Sequence, residues 1–238
     1  RFCTPIWHGA FQVRAPWQVR CERSRPLLPT IAPPAANVPP GPAGLLESFL
    51  AQKRILNKNS NLVRGYHSSI ATDEQYELFN KYLNTRHSNG GMSEMTIFEY
   101  SSMLEETPVN TKIIEYHSKT NNGRHKLDCV SLTDVLNDGL SMVYSFFNPE
   151  MSKLSLGKFM ILDHINIASN MNLEYLYLGY WVPGSDKMDY KSKFSALELY
   201  IDGEWQFVND ASNINIGKFN GSEQSITDQV SSLALPTK

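Results

Sequence analysis

The sequence predicts an α/β layer architecture, with one mixed sheet flanked by helices. Two observations carry that prediction. Capping-box spacings, Thr72-x-x-Gln75 and Thr96-x-x-Glu99, each open an apolar run at helical spacing. Three β-rich runs then follow closely, the first two joined by Asn121-Asn122-Gly123, before helix and strand alternate.

The elements follow in order. Leu46, Phe49, Leu50 and Ile55 predict a short amphipathic helix ending near Asn57. Tyr76, Phe79, Tyr82 and Leu83 predict a helix from the first capping box to His87, stopped by Gly90-Gly91. The second box opens a helix over residues 95–105. Residues 111–118, 125–133 and 139–147 read as three antiparallel strands. Residues 155–170 read as a helix with Leu156, Phe159, Met160 and Ile167 on its apolar side and Ser155 placed to cap it. A compact apolar strand is predicted over 174–181 and a short helix over 187–194. Final strands are predicted over 197–201 and 205–208.

Composition bounds the rest. With 238 residues, 41% hydrophobic and 19% charged, the chain fits one globular domain with appendages. That domain is placed at residues 46–208, with a leader at 1–45 and a polar, loose tail at 209–238. Nine of the thirteen prolines fall in the leader, so neither a helical nor a strand period is expected there. It reads as disordered, or as a misread upstream frame, since the first Met is Met92. The prolines oppose the amphipathic helix of a transit peptide. The leader holds five Arg and one acid, Glu22, so the remainder carries six more acids than bases. That excludes a general nucleic-acid coat, and any RNA contact must use a local basic patch. No apolar run of about 18 residues is present, which argues against a spanning helix. Cys3, Cys21 and Cys129 form no CxxC pair. Neither a disulfide framework nor a metal site is predicted, and a reduced cytoplasmic setting fits best.

Four segments carry a resemblance. They are 82–92 (YLNTRHSNGGM), 133–149 (TDVLNDGLSMVYSFFNP), Ser155-Leu156-Gly157, and 175–194 (YLYLGYWVPGSDKMDYKSKF). In order and spacing, residues 56–201 resemble the C-terminal domain of the arginyl- and leucyl-tRNA–protein transferases of the N-end rule pathway. The resemblance implies an acetyltransferase-like (GNAT-type) fold and a cytoplasmic aminoacyltransferase. It implies transfer of leucine, as in bacterial members, or arginine, as in eukaryotic ones, from aminoacyl-tRNA to a protein's N-terminal Asp or Glu, creating an N-degron. Leucine is favoured by the bacterial-like spacing. The sequence departs from the family in two places. Only residues 47–66 resemble the end of the family's cysteine-bearing N-terminal domain, and Ser195-Ala196 stand where the family usually has Arg-Pro.

Such a reaction is ester aminolysis. An α-amine with a pKa of about 8 needs only modest help to lose its proton. The carbonyl oxygen needs a donor as charge develops on it, and the acceptor's acidic side chain needs a cation. No covalent intermediate or cofactor is required. Lys187 and Lys191 lie four apart and would share a helical face, facing a carboxylate, a phosphate or only solvent. Tyr190 could donate to the oxyanion or pack, and Asp138 could orient the amine or form a turn before Gly139. Arg86 could bind a carboxylate bidentately, with His87 beside it; either could instead cap a helix. Tyr180 and Trp181 could stack on the terminal adenine or join the core. Gly157 opens a helix whose N–H groups could take a tRNA phosphate. Two other functions fit the same residues: an acyl-CoA N-acyltransferase, opposed by an incomplete glycine loop, and a truncated, non-catalytic binder of tRNA or acidic N-termini.

Overall fold

The computed structural model describes residues 17–22, 43–86, 91–119, 122–181, 188, 190–191, 194, 197–201 and 204–208. The elements in chain order are β1 (Trp17–Glu22), α1 (Ala43–Lys58), β2 (Val63–Ser68), α2 (Asp73–Arg86), α3 (Ile97–Glu105), β3 (Thr111–Lys119), β4 (His125–Val135), β5 (Gly139–Phe147), α4 (Leu156–Asn170), β6 (Tyr175–Trp181), β7 (Leu197–Ile201) and β8 (Glu204–Val208).

Local chemistry sets the helix starts. The Thr72 N–H donates to Gln75 Oε1 at 3.2 Å, and the Gln75 N–H returns to Thr72 Oγ1 at 3.3 Å. Thr96 and Glu99 repeat the exchange at 2.7 and 3.3 Å. The expectation that Ser155 caps α4 through its side chain is not met. Ser155 is left-handed at φ 54 and its hydroxyl makes no cap bond. At the other end, Leu173 N–H reaches Ala168 O and Asn172 N–H reaches Ser169 O, with Asn172 at φ 57. That is a Schellman ending with Asn in place of Gly.

The strands form one sheet in the order β2-β3-β4-β5-β6-β1-β7-β8. Every neighbouring pair is antiparallel except β5–β6. That parallel pair requires a crossover, and α4 supplies it. Its register is short: Gly139 faces Tyr175, Leu140 faces Leu176, Ser141 faces Tyr177, and pairing stops there. Gly139 is required, because a Cβ there would lie 2.5 Å from the Tyr175 carbonyl oxygen.

Helices cover both faces. On one, Gln75 Nε2 donates to Glu115 Oε1 at 2.6 Å, and Phe79 packs against Phe146 and Tyr144 with Tyr100 of α3 at 4.9 Å. On the other, Phe159 of α4 meets Tyr116 edge-on at 5.3 Å. Glu115 and Tyr116 are consecutive, so they point to opposite faces. Asp163 of α4 takes Arg64 Nη1 at 2.8 and 2.7 Å and the Tyr116 hydroxyl at 2.8 Å. α1 packs outside α4, where Asn59 Nδ2 donates to Leu154 O.

Next to Asp163, His164 is fully buried, with Nδ1 2.7 Å from Met160 O and Nε2 2.9 Å from Thr133 Oγ1. Nδ1–H therefore donates to the carbonyl, and the neutral Nε2 accepts the hydroxyl. Burial, the largest cause, lowers its pKa to about 4.

β1 overturns the expectation of a leader without strand period. Between Pro16 and Pro26 lie nine residues free of proline, and Trp17, Val19 and Cys21 alternate with polar neighbours. β1 sits between β6 and β7, paired to both. β2 was not predicted either, since VRGYHS is mostly polar and holds a glycine. The predicted helix stop at Gly90, half of the helix at 187–194, leader residues 1–16 and 23–42, and the tail lie outside the described residues.

Two predictions follow from these contacts. Gly139→Ala should destabilise the fold by about 1–3 kcal/mol, as overpacking does; a urea midpoint equal to the parent's would contradict the seam geometry. His164 has a depressed folded pKa, so its contribution is complete above about pH 6.5 and is lost as pH falls towards 4. The loss is on the order of 3 kcal/mol. Urea titrations at pH 7 and pH 4.5 should show it, and His164→Leu should flatten that part of the profile.

Candidate active site

The C-terminal turn of α2, the end of β5 and the start of α4 converge. Tyr82 and Arg86, four apart, share one helical face. The Tyr82 ring meets Phe147 edge-on at 5.1 Å, and the Arg86 guanidinium lies 5.2 Å from the centre of the same ring. From the opposite side, a Cβ on Gly157 would stand 3.5 Å from Phe147 Cε1. Tyr190, after β6, packs against the core and feels the charges of Tyr82 and Arg86. Phe147 is thus a buried floor met by the Tyr82 ring, the Arg86 guanidinium and the first turn of α4, with Tyr190 near enough to Tyr82 and Arg86 to feel their charges.

The electrostatics are consistent with hydrogen-bond donation. Burial pushes the Tyr82 hydroxyl up and raises Tyr190 to about 12, while Arg86 pulls both the other way. Burial prevails, so both phenols stay protonated at neutral pH. Arg86 is largely exposed, which leaves its guanidinium accessible to solvent and solutes.

The other predicted residues fall elsewhere. Lys191 is not on a solvated cationic face: it is half-buried, its Nζ donates to Leu178 O at 2.7 Å, and burial lowers its pKa to about 8. That carbonyl is available for a physical reason. Ladder pairing with β5 has ended at Tyr177, and against β1 the register skips Leu178. Lys191 therefore holds a bulge in place.

Asp138 is not brought to this cluster. Its carbonyl accepts the Glu174 and Tyr175 N–H groups, and its carboxylate accepts the Tyr177 hydroxyl at 2.7 Å. It precedes the start of β5, roughly 30 Å of extended chain from Phe147. Asp134 accepts the Thr111 hydroxyl at 2.6 Å. Tyr180 has its backbone in β6, opposite Gln18, and its side chain lies outside the described residues, as do Lys187 and His87. Trp181 is buried in the core. Tyr82 and Phe147 were not singled out from sequence as site residues. The signal was there for Tyr82, one helical turn before Arg86, but Phe147 looked like any apolar strand residue.

Residues 74–201 match the family described as arginine-tRNA-protein transferase, C terminus. The chain belongs to this family. An aspartate/glutamate leucyltransferase of Ruegeria pomeroyi is 51% identical over 189 residues, covering 79% of this chain and 68% of that one. Proteins of the same description from Jannaschia sp. and Paracoccus denitrificans are 50% and 48% identical, covering 77% and 80% of this chain and 64% and 71% of theirs. The transferase-family chain thus spans about two thirds of the length of these relatives. Among solved structures, L-PGS from Bacillus licheniformis has a TM-score of 0.49 at 7% identity, covering 80% of this chain and 57% of that one.

Gly157→Ala tests what the glycine does. The added methyl meets Phe147 at ordinary contact distance, so stability should rise by up to about 1 kcal/mol through helix propensity. A lowered thermal midpoint would show that this corner is tighter than described.

Proposed function

We propose that this chain transfers an amino acid, leucine by preference, from aminoacyl-tRNA to the N-terminal Asp or Glu of a protein, marking that protein for proteolysis. The observation that carries this reading is the 51% identity to an aspartate/glutamate leucyltransferase along most of the chain. We read the mixed α/β frame as of the GNAT type, a reading supported by the short parallel pairing of β5 with β6 and the crossover helix α4 between them. A cytoplasmic setting follows from the tRNA substrate. Among the described residues, no helix is long and apolar enough to cross a membrane.

The chemistry uses the cluster around Phe147. The aminoacyl ester is already activated, so no enzyme nucleophile is needed. Arg86 offers a fork of donors to the acceptor's carboxylate. Tyr190, kept protonated by burial, donates to the carbonyl oxygen as negative charge gathers there. The start of α4 at Gly157 presents its N–H groups towards the 3′ phosphates. Lys187 and Tyr180 complete the substrate set, the former towards an acidic group and the latter by stacking on the terminal base.

The test uses the purified full chain with labelled leucyl-tRNA and arginyl-tRNA, and peptides beginning with Asp, Glu or Ala. Label should pass from leucyl-tRNA to the Asp and Glu peptides only. No transfer from either tRNA would refute the proposal and favour a binder without activity. Arg86→Ala should lower kcat/KM for the Asp peptide by about ten- to a hundredfold, without rescue by Arg86→Lys. Its stability should change by less than about 1 kcal/mol, because the side chain is exposed.

A further inference from the structure

One basic surface is not used by the site above. Between Tyr116 and Leu127 the chain has Lys119, Arg124 and Lys126, with His117 and His125, and neither Asp nor Glu. These residues form the end of the β3–β4 hairpin, turned at Gly123 with φ +78, and all but His117 are exposed. Beside it a surface hollow is lined by Arg64, His67, His117 and His125, among others. Of the nearby acids, exposed Glu74 accepts the Leu127 N–H, Glu150 pairs with Lys81, and the other three are held by neighbouring side chains. Glu115 is buried, with its Oε2 3.2 Å from His67 Nε2 and 3.5 Å from His117 Nε2, and its Oε1 held by Gln75. Asp128 is buried and accepts from Ser118 and Asn148, and Asp163 holds Arg64.

The register places this surface. Phe147 faces Cys129, Cys129 faces Tyr116, and Tyr116 faces Arg64. The hollow is therefore level with the candidate site, roughly 14 Å away across three strand spacings. From that row the two strands run on about 10 Å, to Lys119 and His125, at the same end of the sheet. Outside the leader the chain carries more acids than bases, so a ten-residue run, 117–126, with three bases and no acid is a local exception. A polyanion whose reactive end lay at Phe147 would find its next phosphates here.

We infer that the β3–β4 hairpin, with Lys119, Arg124 and His125, docks the phosphate backbone of the tRNA whose aminoacyl end occupies the Phe147 site. This rests on the transferase reading and adds to it the surface that holds the RNA body. The contacts are to phosphates and carry no base preference.

The experiment is a fluorescence anisotropy titration of the full chain with a labelled tRNA transcript at several salt concentrations, beside the transfer assay. In Lys119→Ala/Arg124→Ala, the tRNA Kd and the KM for aminoacyl-tRNA should rise about tenfold, and the slope of log affinity against log salt should fall by about 2. The KM for the acceptor peptide should stay the same. Lys112→Ala, at the opposite end of β3, should match the parent in every readout. An unchanged tRNA Kd and salt slope in the hairpin variant, with transfer intact, would overturn the docking surface and leave the transferase reading standing. A parent chain that binds tRNA but transfers nothing would sink the transferase reading alone. A parent chain without measurable tRNA affinity would sink both.

Discussion

The fold depends on a three-residue seam. Strands β2 to β5 form one antiparallel ribbon, and β6, β1, β7 and β8 form another. They are joined by the parallel contact of residues 139–141 with 175–177. At its start the backbones are so close that only a residue without a side chain fits. Beyond it each ribbon follows its own twist, and the strands part. Two features depend on this parting. The carbonyl of Leu178 comes free and is taken by Lys191. The end of β5 turns towards α2 and α4, which puts Phe147 within reach of both.

The placement of reactive groups is selective. Cys129, whose thiol is pushed up by burial, and His164, kept neutral, are both shut inside the protein. Neither of these two groups is available to a substrate. Among the described residues, the cluster around Phe147 supplies donors: a guanidinium, two protonated phenols and a helix start. Such a set suits a reaction whose ester is activated before it arrives, and would serve poorly for cleaving an unactivated amide.

Much of this was legible in the sequence, and the failures have physical causes. The helices announced themselves through reciprocal capping at Thr72/Gln75 and Thr96/Glu99, which is local chemistry read over four residues. β5 was bounded correctly at Gly139 and Phe147 because a turn signal and an Asn-Pro flank it. β1 was missed because its six residues are too few to outweigh the surrounding prolines, and its partners lie far along the chain. Ser155 was misjudged because residue type suggests a cap while backbone conformation decides one. Lys191 read as a substrate-facing cation beside Lys187, with a solvated face as the alternative, and only the tertiary bulge at Leu178 reveals why an ammonium is half-buried there. Of the site, Arg86 and Tyr190 came from resemblance and charge chemistry. That Arg86 and Tyr82 share one aromatic floor needed the fold, since Phe147 carries no polar group to advertise it.

The position of β1 has a consequence for biogenesis. Its six residues precede their β6 partners by roughly 150 positions, which at ribosomal speeds of about 5–20 residues per second means a wait of some 8–30 seconds. Throughout that interval both strand edges are unsatisfied and open to pairing with a neighbouring chain. The flanking prolines, which hid the strand from sequence reading, limit that hazard by denying any longer ladder a place to extend. The ribbon of β6, β7 and β8 would then close around a strand made well before it. Aggregation during synthesis, more than loss of folded-state stability, is where substitutions at Pro16 or Pro26 would be felt.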